Sequence, residues 1–301
     1  MNQPKAKLSS ILVATDFSDT AAAGVKWALE IAQEHEARVV LVHVTATAPP
    51  MTEFLPVPAA VGVELQRAAL ERLEKAGAES RTTGIEVQTH LRMGLPSREI
   101  LEAASEHEPD LLVIGTRGHS GLQHLLLGST AERVVQRSPF PVLTVHPGDR
   151  EKHRAIRTVL VPTDFSEDAR QAIAQARRLL APIEDGARVV LLHAYHFPIE
   201  YTAYGPIPTS FDFLKDVAGA AEEGLRKLAE ELAVEGIEVE TRAVEGYPPQ
   251  VIVEAAAALD ADLIAMGTHG RSGIAHLFLG STAERVVQKA PCPVLTVRRS
   301  E

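Results

Sequence analysis

The sequence predicts an α/β protein built as two tandem, doubly wound domains, each a parallel sheet flanked by helices, and three observations carry that reading. The chain repeats itself: aligned without a gap, residues 115–145 and 267–297 are identical at 23 of 31 positions, and ILVATDFSDTA from Ile11 returns as VLVPTDFSEDA from Val159. The offset between copies is 148 residues at Asp16 and Asp164, 150 at His43 and His193, and 152 at Gly115 and Gly267. Two short insertions therefore separate otherwise collinear halves, and the repeating unit is a whole domain rather than a solenoid repeat of roughly 20 to 50 residues. Within each copy, short continuous apolar runs alternate with segments of helical periodicity, as in parallel sheets covered on both faces. Finally, 301 residues are many for one core and enough for two domains of about 150 each.

The first copy starts with an apolar run over 11–14, a strand that ends at the polar cluster Thr15, Asp16. Ser18 or Asp19 can cap the following helix, whose apolar positions Val25, Ala28, Leu29 and Ala32 recur at helical spacing. A second buried strand covers 39–44. Residues 45–61 carry Pro49, Pro50, Pro56 and Pro58 and read as a loop. A helix over 64–77, a strand over 85–91, a helix over 97–107, a strand over 111–114, a glycine-bearing loop, a helix over 129–137 and a strand over 142–145 complete the unit. The polar stretch 147–157 reads as a linker, which gives a first domain over 1–147, a linker over 148–157 and a second domain over 158–301. The second copy repeats the order with strands at 158–161, 188–194, 237–244, 263–266 and 294–297, helices at 167–180, 213–234 and 249–259, and a proline-bearing loop at 196–210.

Composition narrows the function classes. With 40 acidic against 30 basic residues and a formal net charge of −10, the surface is a poor general partner for nucleic acid or an anionic membrane. One cysteine, Cys292, precludes an intramolecular disulfide framework. The N-terminal apolar run stops within four residues at Thr15 and Asp16, unlike a signal peptide. No apolar stretch approaches the ~18 residues of a membrane span. A cytoplasmic protein is expected.

The element on which each copy turns is GTRGHSGLQHLLLGST at 115–130 and GTHGRSGIAHLFLGST at 267–282. Gly115, Gly118 and Gly128, with Gly267, Gly270 and Gly280, stand where backbone must turn sharply or approach something closely. Ser129 and Thr130, and Ser281 and Thr282, open the next helix, and a loop feeding a helix N-terminus is an anion cradle in the making. The pattern G-x2-G-x9-G-[ST] follows a strand in both halves. It is neither a Walker loop, since no GK[ST] follows, nor the dinucleotide pattern G-x-G-x-x-G.

The glycine pattern, the TDFS turn after the first strand and the closing PVLTV strand together resemble the universal stress protein family in its tandem, two-domain form. That resemblance implies a five-stranded parallel sheet of order 3-2-1-4-5 in each domain and, with the full glycine pattern, binding of ATP. It places phosphate and ribose on Gly115, Gly118, Gly128, Ser129 and Thr130 in the first domain and on Gly267, Gly270, Gly280, Ser281 and Thr282 in the second. Asp16 and Asp164 end first strands, where a carboxylate accepts ribose hydroxyls or caps a helix. Backbone at Val44 and Ala194 holds adenine by the same resemblance, with Ala14 and Pro162 as walls. Arg117 and His119 in the first loop exchange as His269 and Arg271 in the second, and either cation can meet a phosphate or be solvated. His124 and His276 read as packing residues. His43 and His193 can pair with a helix end or carboxylate, and no third convergent ligand makes a metal site of them.

These readings give an ATP-binding stress-response module acting as a nucleotide-dependent switch, with one adenine nucleotide per domain, ATP with or without magnesium. The alternatives are a slow ATPase and a scaffold that has lost the ligand in one domain. No catalytic residue is assigned and at most weak ATP hydrolysis is expected. A protein partner is implied without being identified. By resemblance to single-domain relatives that dimerise through the closing strand, the two PVLTV strands are expected to form an intramolecular pseudo-dimer, with a further homodimer left open.

Overall fold

The apolar runs of the first copy fold into five parallel strands in a computed structural model, which describes residues 7–45, 59–118, 127–146, 148, 155–180, 186–196, 201–202, 205–206, 211–232, 237–269 and 279–298. The chain divides into two units that part between His153 and Arg154. The first runs β1 (Ser10–Thr15), α1 (Asp19–His35), β2 (Arg38–Thr45), α2 (Ala59–Arg81), β3 (Val87–Met93), α3 (Pro96–His107), β4 (Leu111–Gly115), α4 (Ser129–Arg137) and β5 (Val142–Val145). Its strands lie in the order β3-β2-β1-β4-β5 and every pairing is parallel. Central β1 pairs on both sides, and Ile11, Leu12 and Val13 are wholly buried. Burial on that scale contributes about 1.5–3 kcal/mol per large aliphatic side chain, which is why the run tolerates no polar interruption until Thr15. Helix α1 lies over β1 and β4, α2 over β2 and β3, and α3 and α4 pack against each other.

The second unit repeats this plan: β6 (Thr158–Pro162), α5 (Glu167–Leu180), β7 (Ala187–Tyr195), the two-residue strands β8 (Tyr201–Thr202) and β9 (Gly205–Pro206), α6 (Phe211–Leu232), β10 (Ile237–Glu245), α7 (Pro248–Ala258), β11 (Leu263–Gly267), α8 (Ser281–Lys289) and β12 (Val294–Val297). The order β10-β7-β6-β11-β12 is again all parallel. Both units thus have the 3-2-1-4-5 arrangement. At the strand starts a carboxylate ties the central pair together in each. Asp110 Oδ2 accepts from the Ser9 and Ser10 N–H groups at 2.6 and 3.2 Å, and Asp262 Oδ2 accepts from the Arg157 and Thr158 N–H groups at 3.0 and 2.9 Å.

The largest departure from the sequence reading is α2, which extends on both sides of the expected 64–77. Gly77 looks like a stop yet sits inside the helix, because a Cβ there would lie 2.5 Å from Thr89 Cγ2. The glycine lets β3 approach the helix. The real stop is Gly84, at φ +84, whose N–H bonds the Arg81 carbonyl at 3.0 Å. The loop expected at 196–210 contains the short antiparallel β8–β9 pair.

Candidate functional site

Strand order reverses between β1 and β4, where the connections leave in opposite directions, and a crevice opens outside their carboxyl ends, as the geometry of open α/β sheets requires. Its first wall is the TDFS turn. Phe17 takes a left-handed backbone, φ +64, held by Thr15 Oγ1 accepting from its N–H at 3.1 Å. Asp16 Oδ1 accepts from the Ser18 N–H at 3.0 Å, and Ser18 Oγ caps α1 by accepting from the Ala21 N–H at 3.2 Å. The second copy matches, with Phe165 at φ +64 and bonds of 3.0, 3.0 and 3.3 Å from Thr163, Asp164 and Ser166. The aspartates therefore shape the turn, and the serines cap the helices. His43 Nδ1 bonds the Thr15 carbonyl at 2.7 Å and its ring lies 4.4 Å from that of Phe17. His193 does the same with Thr163 and Phe165, at 2.7 and 4.6 Å. These histidines hold the turn rather than pairing with a carboxylate or helix end.

The opposite wall is the glycine loop, and its three glycines do different work. Gly115 faces α1: a Cβ would come within 2.9 Å of Thr20 Cγ2 and 3.3 Å of the Ala21 nitrogen. A Cβ on Gly118 would meet Asp16 Oδ2 at 2.5 Å. Gly128 closes the neck of the loop, its N–H bonding the Thr116 carbonyl at 2.9 Å, while Thr116 is anchored by its own N–H to Val145 at 2.9 Å. Because Gly128 is the N-cap of α4 and has no side chain, no side chain caps that helix, and Gly280 leaves α8 in the same condition. The first-turn N–H groups of such a helix lack intrahelical acceptors and carry partial positive charge.

These elements enclose a cavity of about 220 Å³ in each unit. All the first-copy site residues line it: Ala14 and Asp16 at the end of β1, Val44 in β2, Gly115, Arg117 and Gly118 in the loop, and Gly128, Ser129 and Thr130 at the start of α4. In the second unit Pro162, Asp164, Ala194, Gly267, His269, Gly280, Ser281 and Thr282 line the equivalent cavity. Gly270, His119, His124, Arg271 and His276 lie outside the described residues. Sequence reasoning missed the third wall, Pro96 and Ile100 of α3 and their counterparts Pro248 and Ile252 of α7. Its signal is the repeated Gly-x-Pro at Gly94 and Gly246, where φ is +151 and +152 and the N–H groups bond the carbonyls of Thr45 and Tyr195 at 3.0 and 2.8 Å.

The two crevices differ behind the loop. Thr20 of the first is replaced by Asp168, whose Oδ2 accepts from the His269 N–H at 3.2 Å and lies 3.5 Å from His269 Nδ1. His269 Nδ1 is also 3.0 Å from Thr268 Oγ1. At the matching position Arg117 makes no hydrogen bond or ion pair among the described residues.

A crevice at the switch in strand order, walled by a glycine loop and an uncapped helix start, belongs to a Rossmann-like α/β domain, present here twice. The chain belongs to the universal stress protein family, whose pattern matches residues 7–146 and 155–298. It is 31% identical over 298 residues to a universal stress protein of Mycolicibacterium smegmatis, covering 96% of each chain. A Thermus aquaticus universal stress protein is 36% identical over 146 residues, which span 47% of this chain and 98% of that one. Among solved structures, a universal stress protein of Archaeoglobus fulgidus superposes with a TM-score of 0.72 at 23% identity, over 96% of this chain and 98% of that one, a likeness of fold. No helix of the described residues is long and apolar enough to cross a membrane.

Proposed function

We propose that each unit binds one adenine nucleotide, ATP preferred, and that occupancy of the glycine loop switches the protein between states read by a protein partner in a stress response. The observation that carries this reading is the uncapped N-terminus of α4 or α8 opening into a cavity whose other polar wall is the carboxylate at the end of the central strand. Phosphates suit the helix start, where backbone N–H groups and the helix dipole favour an anion. Ribose hydroxyls suit Asp16 and Asp164, since a carboxylate oxygen accepts readily from O–H donors. The base suits the apolar side, formed by Ala14, Val42, Val44 and Ile100 in the first unit. Among the described residues no group of three His, Cys, Asp or Glu side chains could hold a metal ion. Magnesium would accordingly arrive on the phosphates, as it does where carboxylates are few.

Native mass spectrometry of the purified protein, followed by calorimetry with ATP, tests the reading. Two equivalents of an adenine nucleotide per chain are expected. No binding of ATP, ADP, AMP or adenosine would overturn it. Sustained hydrolysis of about 1 per second or faster, the range of dedicated enzymes, would replace the switch with an ATPase.

A further inference from the structure

We propose that Asp168 sets the phosphate preference of the second crevice, which takes adenine ligands of lower charge than the first does. The inference rests on the nucleotide reading above and concerns the same site. Asp168 stands in the first turn of α5 with its side chain 12% exposed, directly behind the loop that begins at Gly267. A Cβ on Gly267 would lie 2.7 Å from Asp168 Cβ and 2.9 Å from its carbonyl carbon, so loop and helix are in close contact at this residue.

It acts in two ways. Its Oδ2 accepts the His269 N–H, removing one backbone donor from the set that faces the crevice, whereas the Arg117 N–H of the first loop is bonded to nothing among the described residues. It also adds a negative charge behind the loop and lies 3.5 Å from the His269 imidazole. At the corresponding places the first crevice has uncharged Thr20 and Arg117, which makes no hydrogen bond or ion pair among the described residues. Each loop holds one arginine and two histidines, so the charge that separates the two crevices is that of Asp168, and a buried carboxylate is screened less than a surface one. The penalty scales with ligand charge, so it falls on a triphosphate, less on a monophosphate and not on a nucleoside.

Calorimetry in a Gly118→Val background, which blocks the first crevice, reads the second alone. Asp168→Thr should raise ATP affinity about tenfold, raise AMP affinity by a smaller factor and leave adenosine unchanged. Asp168→Asn, which keeps an acceptor for the His269 N–H and the shape of the side chain, should reproduce the part of the gain due to charge. Unchanged adenosine binding also certifies a folded crevice. Equal shifts for ATP, AMP and adenosine, or no shift in either variant, would overturn the role of Asp168 while leaving nucleotide binding in place. Absence of all three ligands from both crevices of the unsubstituted protein would overturn the underlying reading instead.

Discussion

The crevice of the first unit and that of the second have the same TDFS turn, the same uncapped helix start and cavities of about 220 Å³, yet Thr20 lies behind one loop and Asp168 behind the other. The shared glycine pattern is retained while a carboxylate is added behind one loop, because the change sits on the helix that the loop packs against. Motif identity therefore reports that a loop can be built, and the residue behind it reports what charge the loop will tolerate.

The most disruptive test of this comparison is Gly118→Val. Its Cβ would press on Asp16 Oδ2 at 2.5 Å and its methyl groups would fill the space where backbone meets ligand. ATP affinity at the first crevice should fall by about 100-fold or more, in the range of losing a charged hydrogen-bond set, and calorimetric stoichiometry should drop from two to one. Retention of two equivalent sites would break the assignment. A sharper test transplants the difference. Thr20→Asp should lower ATP affinity of the first crevice about tenfold and spare adenosine, so that the first crevice comes to behave like the second.

Smaller effects probe what the units share. Removing the N-cap hydroxyl by Ser18→Ala or Ser166→Ala should destabilise the corresponding unit by about 1 kcal/mol, with equal shifts in chemical denaturation, because the caps are geometrically alike. The smallest expected effect is again asymmetric. His107 closes α3, its ring 4.5 Å from that of His90, and burial, together with the neighbouring His90 charge, holds its pKa below the ordinary 6.5. A depressed histidine pKa means that the folded unit binds fewer protons than the unfolded chain. Stability is then full above about pH 6.5 and declines as pH falls through that value. The second unit has Arg242 and Leu259 at these places. The first unit should accordingly be the more acid-sensitive, and His107→Asn should flatten its stability profile between pH 7 and pH 5. Parallel profiles before and after the substitution would remove His107 as the cause.

Most of the fold was legible because a buried parallel strand must be apolar on both faces, so runs such as 11–14 and 111–114 declared themselves, and their repetition gave the order of elements twice. Helix ends read less well. Gly77 mimics a terminator and is in truth a contact point for Thr89, a distinction that depends on what β3 brings alongside. The motif residues of each crevice were legible as local patterns. The partners of those residues were not, since His43 bonds Thr15 across 28 residues and Asp168 bonds His269 across 101. No local pattern encodes such pairings, and the replacement of Thr20 by Asp168 in the second copy gains its meaning only from the loop it packs against. Two of the glycines have a structural partner that the motif does not disclose. Gly115 and Gly267 stand against the backbone of α1 and α5, and only their position at the mouth of the crevice links them to a ligand.

The hydrogen bond from the Gly128 N–H to the Thr116 carbonyl, 2.9 Å long and repeated at 2.9 Å between Gly280 and Thr268, has a consequence in polymer terms. The ends of each loop are joined by the protein itself, so ring closure is complete before any ligand arrives and contributes nothing to the entropy of binding. The closure entropy of such a ring grows only as the logarithm of its length. Four extra residues between Arg117 and Leu127 would add about 0.3 kcal/mol of closure entropy to the folded chain. Lengthening the chain between the two anchor points would therefore cost little, with the anchors and the helix start kept in register.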